Sequence, residues 1–400
     1  MTRIDLTGLG VRPAQVWGGV RLVPLVRAEP VGGLRLHREA YGSGVRRDGG
    51  GRDGGYVSHL SAPSSVDAGD GTVYTSYIPH GFVADWSGTD REEAVYGTRL
   101  GDGPPATVPL RAPHHRFAKR RRGERRLRFL PLHLALDGYL SLHFGGPPVL
   151  WEEWSRDALR RGLSPRAEAA YAGVEVPGLA EALRIFELHP GQCGVLVYAA
   201  DALAGAFVVP HPEDYRLLHP TLVEDLYGEQ VHQYAHYGAP VPDFTARIRD
   251  GAGGIRNLAD LRAAAREQER RWAEAHDGLM GRDLLETPYA FERVYRMGSF
   301  ALYRFLPPFL RDGREQHIGE LITDHKGRTA YLKTFRLSDA QVRRGYLLRR
   351  LASCDWHVGR AAEALGTAPE ELVRRIRAAG FGELLDAHGL AQARRKRQEG

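Results

Sequence analysis

The sequence predicts an α+β protein, in which a mixed, mostly antiparallel sheet with packed helices is followed by a small all-α unit. Short apolar runs bounded by Gly and Pro recur through residues 1–337, as buried strands require. Segments with helical spacing of apolar residues lie between these runs. From Ser338 onward the pattern is wholly helical. We therefore place a body at 1–337, a helical domain at 338–390 and a basic tail at 391–400.

The composition is that of a globular protein with a modest basic excess. The chain has 400 residues, 42% hydrophobic and 26% charged, and exceeds the length that one core usually serves. No apolar run reaches the roughly 20 residues that span a bilayer, and residues 1–10 lack the apolar core that is typical of a signal peptide. We therefore expect a cytoplasmic protein without membrane contact. With only Cys193 and Cys354, neither a disulfide framework nor a Cys-rich zinc site is expected.

Basic residues are concentrated at the carboxyl end. The formal net charge is +6, and residues 338–400 carry 12 Arg and Lys against 8 Asp and Glu. Such a cluster can bind nucleic acid or another anionic partner.

Two features precede the centre of the body. Residues 42–71 are rich in Gly, Ser, Arg and Asp, a composition that cannot bury a core, so we predict a mobile loop there. Asp137 and Gly138 separate the apolar runs 127–136 and 139–144, and this dipeptide is typical of a hairpin turn. The two runs are therefore predicted to pair as strands.

The stretch 192–237 predicts strand, turn, strand and helix. Its apolar runs at 195–198 and 206–209 are short and bounded by Gly and Pro, which is typical of strands buried on both faces. Pro220 predicts the start of the helix, because proline suits a first helical turn and interrupts what precedes it. The residues that follow form one apolar face at helical spacing.

The opposite face of that predicted helix carries a polar stripe. Its members are Asp225, Glu229, His232 and His236, at positions i, i+4, i+7 and i+11. Two His at i and i+4 can hold zinc, and nearby carboxylates can ligate the metal or act as a base. The arrangement is not His-Glu-x-x-His, since Gln233 follows His232. A polar stripe is also what any solvated surface helix shows, so both interpretations remain open.

The rest of the body predicts one long helix and several strands. A helix capped by Asn257 ends near Gly278, and aromatic residues at 289–305 predict strands. The runs 318–323 and 329–335 flank a turn and predict two further strands.

Three helices are predicted at the carboxyl end. Ser338 and Gln341 form a capping box at the start of the first helix, and the second covers about 358–365. Gly366 ends that helix, and Pro369 begins the third. This segment resembles the DNA-binding end of Fis-type helix-turn-helix proteins. The resemblance implies DNA contacts by Arg360, Arg374, Arg375 and Arg377. Two carboxylates at the start of the third helix depart from the family pattern and repel phosphate.

The body is similar to the ARPP domains of bacteria, which are associated with ADP-ribosylglycohydrolases and rhodanese-phosphatase superfamily members. The similarity is carried by Gly194, Gly205, Pro212 and the segment 222–227. It implies an accessory role near ADP-ribose or nucleotide metabolism, and it brings no catalytic residue and no cofactor.

Three functions are consistent with the sequence. The first is a non-catalytic accessory or regulatory protein that acts by binding a protein partner. The second is a DNA-binding regulator that uses the carboxyl-terminal helices. The third is a metal-dependent hydrolase that uses the polar stripe. We expect the first.

Overall fold

The computed structural model describes the amino-terminal strands, the centre of the body and the carboxyl-terminal part of the chain. The described residues are 2–36, 64–69, 73–76, 82–85, 93–94, 98–100, 108–109, 127–130, 140, 188–219, 238–241, 254–382 and 385. Strands dominate before Ser338 and helices follow it, which confirms the predicted α+β class.

A nine-stranded sheet forms the centre of the body. Its strands are β1 (Leu9–Val11), β2 (Gln15–Trp17), β3 (Val20–Arg27), β12 (Gln192–Ala199), β13 (Ala202–Val208), β14 (Ala290–Met297), β15 (Phe300–Leu306), β16 (His317–Thr323) and β17 (Thr329–Arg336). They lie in the order β1-β3-β12-β13-β17-β16-β15-β14, with β2 paired to β3. All of these pairings are antiparallel. Strand β17, the last of the described strands, therefore joins the central hairpin to the meander that begins at β14.

Two four-stranded sheets complete the described strands. One contains β4 (Arg35–Leu36), β5 (Ser64–Asp67), β6 (Val73–Ser76) and β9 (Thr98–Leu100) in the order β4-β5-β6-β9. The other contains β7 (Phe82–Asp85), β8 (Glu93–Ala94), β10 (Val108–Pro109) and β11 (Leu127–Leu130) in the order β10-β8-β7-β11. Both sheets are antiparallel.

These sheets correct two predictions. Within the predicted loop 42–71, Ser64–Asp67 forms β5, because its backbone pairs with strands on both sides regardless of its polar composition. The strand Leu127–Leu130 pairs with Phe82–Asp85. Leu140, predicted to lie in a strand, is helical, and the rest of the run 139–144 lies outside the described residues.

The central hairpin of β12 and β13 confirms the strongest prediction from the sequence. All eight residues of β12 are buried. Ala200 makes the turn with φ of +54°. Gly194 faces the neighbouring strand so closely that an added Cβ would lie 2.5 Å from the Phe207 carbonyl oxygen. The apolar runs therefore form strands that are covered on both faces.

A helix follows this hairpin. Residues 212–219 are helical, with Pro212 at the first position. The helix predicted to start at Pro220 lies outside the described residues. Asp214 ties this helix to β4, since its buried carboxylate accepts hydrogen bonds from the Arg35 guanidinium at 2.7 Å and from the Leu36 N–H at 3.0 Å. This long-range ion pair joins the helix to β4.

Alternate residues of the large sheet enter two hydrophobic clusters. Leu321 and Leu332 belong to one cluster, and Ile322 and Tyr331 belong to the other. Helix α1 (Leu258–Leu279), followed by the short α2 (Arg282–Glu286), supplies Trp272 to the first of these clusters. The second cluster also contains residues of the carboxyl-terminal helices.

The carboxyl-terminal helices have the predicted boundaries. They are α3 (Asp339–Ser353), α4 (Val358–Ala364) and α5 (Pro369–Ala378). The capping box of Ser338 and Gln341 is present at the start of α3. Gly366, with φ of +59°, makes the turn between α4 and α5. Within the described part of the chain, no helix is long and apolar enough to cross a membrane.

Candidate interaction surface

The predicted site arginines lie on the outer side of the last two helices. Arg360 is on α4, and Arg374, Arg375 and Arg377 are on α5. All four are exposed, and 77% of the side-chain surface of Arg374 is open to solvent. The three-helix unit therefore presents these side chains to solvent, where a partner can reach them.

The orientation of α5 follows from its apolar residues. Leu372 and Ile376 are 0% exposed and lie four residues apart on the inner face of α5. Arg374 lies midway between them in sequence, which places it on the opposite side of a helix with 3.6 residues per turn. Ala361 and Ala362 of α4 are also buried, and their small side chains allow a close approach of the two helices.

The charge on the outer face of α5 is mixed. Glu371 forms an ion pair with Arg374 and a second one with Arg375, whose Nε donates to Oε1 at 2.9 Å. Arg360 pairs with Asp355 at 3.3 Å. Among the described residues no ion pair forms with Arg377. Helix α5 thus carries three arginines and two carboxylates, Glu370 and Glu371. This mixture of charges suits a partner that also carries both signs of charge.

The predicted metal site is not described. Asp225, Glu229, His232 and His236 all lie outside the described residues. Within the described ranges, no group of three or more His, Cys, Asp and Glu side chains could hold a metal ion. Cys193 is fully buried, and burial raises the pKa of its thiol.

Two buried Tyr–His pairs stabilise the body. His276 of α1 donates from Nδ1 to Asp277 at 2.9 Å, so in the neutral imidazole Nε2 accepts the hydrogen bond of the Tyr198 hydroxyl at 2.8 Å. Tyr215 and His219 make the second pair at 2.9 Å. Burial raises the pKa of Tyr198 and lowers the pKa of His219 to about 4. Tyr198 is 0% exposed, so the first pair holds α1 against the sheet.

The structure also brings together arginines that the sequence analysis did not single out. Arg311, Arg314, Arg336 and Arg343 line a cavity of about 360 Å³. They come from the β15–β16 loop, the end of β17 and the first turns of α3, and the pairing of β16 with β17 unites them. The local signal in the sequence is the turn-like run 311–314, which contains Asp and Gly between two arginines.

Comparison with known proteins places the body in a family. No curated protein and no solved structure matches the chain. The family model ARPP-2 matches residues 4–298, which cover the amino-terminal strands, the central hairpin, α1 and β14. The strands β15 to β17 and the three carboxyl-terminal helices follow the matched region. The chain belongs to the ARPP-2 family.

Proposed function

We propose that this protein is a non-catalytic accessory or regulatory protein that acts by binding a protein partner among the enzymes of ADP-ribose or nucleotide metabolism. Its binding surface is the outer face of α4 and α5. The membership of the body in the ARPP-2 family supports the choice of partner class.

The observation that carries this proposal is the double ion pair of Glu371. A surface that neutralises DNA phosphates needs free arginines, whereas Glu371 engages both Arg374 and Arg375. Carboxylates at the start of α5 also repel a phosphate backbone. A protein surface with complementary charges of both signs can instead pair with arginines and carboxylates at once.

The test is binding to a purified ADP-ribosylglycohydrolase from the same genome, measured by calorimetry together with the rate of that enzyme. We expect a complex that Arg374→Glu combined with Arg377→Glu weakens about tenfold or more. The matched control reverses Arg262 and Arg266, two exposed arginines of α1, and should leave affinity unchanged. Absence of a complex, with no change in the enzyme's rate, would reject this partner class.

DNA binding is the second candidate function. It is favoured by the exposed Arg374 and Arg377 on a helix that follows a tight turn. This function requires a gel shift of duplex DNA with affinity that falls steeply as salt rises, and loss of the shift on Arg374→Glu with Arg377→Glu. No shift at low salt would exclude it.

A further inference from the structure

An arginine-lined cavity lies where the sheet meets α3. It is bounded by the loop that precedes β16, the end of β17 and the first turns of α3, and its volume is about 360 Å³. That volume is within the range of small-molecule sites. The lining residues are Leu310, Arg311, Gly313, Arg314, Glu315, Gln316, Arg336, Leu337, Asp339, Val342 and Arg343.

The cavity carries an excess of positive charge. Four arginines line it, against the carboxylates of Glu315 and Asp339. Arg314 is paired with Asp312 at 3.4 Å, a residue outside the lining. The side chains of Arg311 and Arg343 form no ion pair or hydrogen bond with any residue that the structure describes, and both residues are exposed. Two guanidinium groups therefore face the cavity region with their donors available.

Glu315 offsets little of this charge, because its oxygens are already engaged. Oε2 accepts the Leu203 N–H at 3.1 Å and Oε1 lies 3.6 Å from Arg336. His317, fully buried behind it, lies 3.9 Å from Oε2, and burial lowers the pKa of this histidine. The Glu315 carboxylate is thus directed at the protein, and Asp339 is the opposing charge that remains.

The walls of the cavity are held by buried polar side chains. The Gln316 side chain accepts from the Leu310 N–H at 3.0 Å and donates to the Leu310 carbonyl, which fixes the loop. Leu337 N–H donates to the Gln316 carbonyl at 2.8 Å. Gln341 completes the capping box of α3. The backbone of a loop held in this way loses little conformational entropy when a ligand binds.

We propose that this cavity binds a small organic molecule that bears a phosphate or diphosphate group. Guanidinium groups match phosphate oxygens with paired, charge-assisted hydrogen bonds. The apolar residues Leu310, Leu337 and Val342 line the same cavity, and Leu310 is 50% exposed. The phosphate group accepts hydrogen bonds from Arg311 and Arg343, and the organic part of the ligand packs on Leu310. Such a ligand contacts both the body and α3.

The test is calorimetric titration of the full-length protein at low ionic strength with pyrophosphate and with ADP. Both probes should bind, and Arg311→Gln combined with Arg343→Gln should weaken the binding of each probe about tenfold or more. Arg262→Gln with Arg266→Gln on α1 removes the same charge elsewhere and should change neither affinity. Circular dichroism and thermal melting establish that the variants are folded.

Two further variants separate the charged from the apolar contribution. Asp339→Asn removes the opposing carboxylate and should raise the affinity for both probes by a few-fold. Misfolding cannot produce such a gain. Leu310→Ala should weaken the binding of ADP and leave the affinity for pyrophosphate unchanged. The proposal is overturned if neither probe binds at millimolar concentration. It is also overturned if the α1 variant loses as much affinity as the cavity variant, or if ADP binds no more tightly than pyrophosphate.

Discussion

Gly345 of α3 lies against the ring of Phe309 with no room between them for a side chain. A Cβ atom at position 345 would come within 2.8 Å of three ring carbons. Phe309 is 1% exposed and has φ of +54°, a left-handed conformation that is strained for a residue other than glycine. Arg349 donates to the Pro308 carbonyl at 3.2 Å beside this contact. The body and the carboxyl-terminal helices are therefore packed together at this point.

Substitution of Gly345 tests that packing. We expect Gly345→Ala to lower the free energy of unfolding by about 1–3 kcal/mol, because the added methyl group must displace a buried ring. Gly278→Ala in α1 is the control, since a Cβ there meets nothing within 4 Å and alanine favours helix by up to about 1 kcal/mol. Urea denaturation measures both variants. Equal effects at the two positions would contradict the close contact.

The buried pair of Glu320 and Lys333 provides a second prediction. These side chains lie opposite each other on β16 and β17, 2.9 Å apart, and each is 1% exposed. Burial lowers the pKa of Lys333, and Glu320 opposes that shift. We expect Lys333→Met to reduce the free energy of unfolding by about 3–5 kcal/mol, because it removes the ammonium group that compensates a buried carboxylate.

The double variant distinguishes a lost partner from lost packing. Lys333→Met with Glu320→Leu should recover most of the stability, since no charge then remains buried. The exposed pair of Arg270 and Glu267 is the control, and Arg270→Met should lower the free energy of unfolding far less than Lys333→Met does. If the double variant is less stable than Lys333→Met, charge burial does not explain the effect.

His219 predicts a dependence of stability on pH. Burial lowers the pKa of His219 to about 4 in the folded protein, from an ordinary value near 6.5. The unfolded state therefore binds the proton first, and stability falls as the pH drops from about 6.5 toward 4. This loss in the free energy of unfolding is roughly 3 kcal/mol near pH 4, and there is no loss above pH 7.

The measurement compares the wild type with His219→Asn, whose amide can still meet the Tyr215 hydroxyl. Urea denaturation at several pH values from 4.5 to 7.5 gives the free energy of unfolding of each protein. As the pH falls across this range, we expect the free energy of unfolding to drop further for the wild type than for His219→Asn. The other titrating groups contribute equally to both proteins. Parallel curves would show that His219 does not titrate as its burial implies.

Local patterns predicted a large share of this fold. The β12–β13 hairpin and the boundaries of α3, α4 and α5 follow from apolar spacing and from capping residues within a few positions. The exposure of Arg374 follows from the same helical period. Pairing partners could not be predicted in this way, because nothing near β13 in sequence indicates that β17 lies beside it.

The sequence by itself determined the apolar strands of the β12–β13 hairpin and the carboxyl-terminal helices, because those elements depend on residues that are neighbours along the chain. Only the tertiary structure decided that Lys333 meets Glu320, that Pro212 starts a helix tied to Arg35, and that arginines from three segments share one cavity. Those outcomes depend on how the whole sheet buries its two faces, and no short segment contains that information.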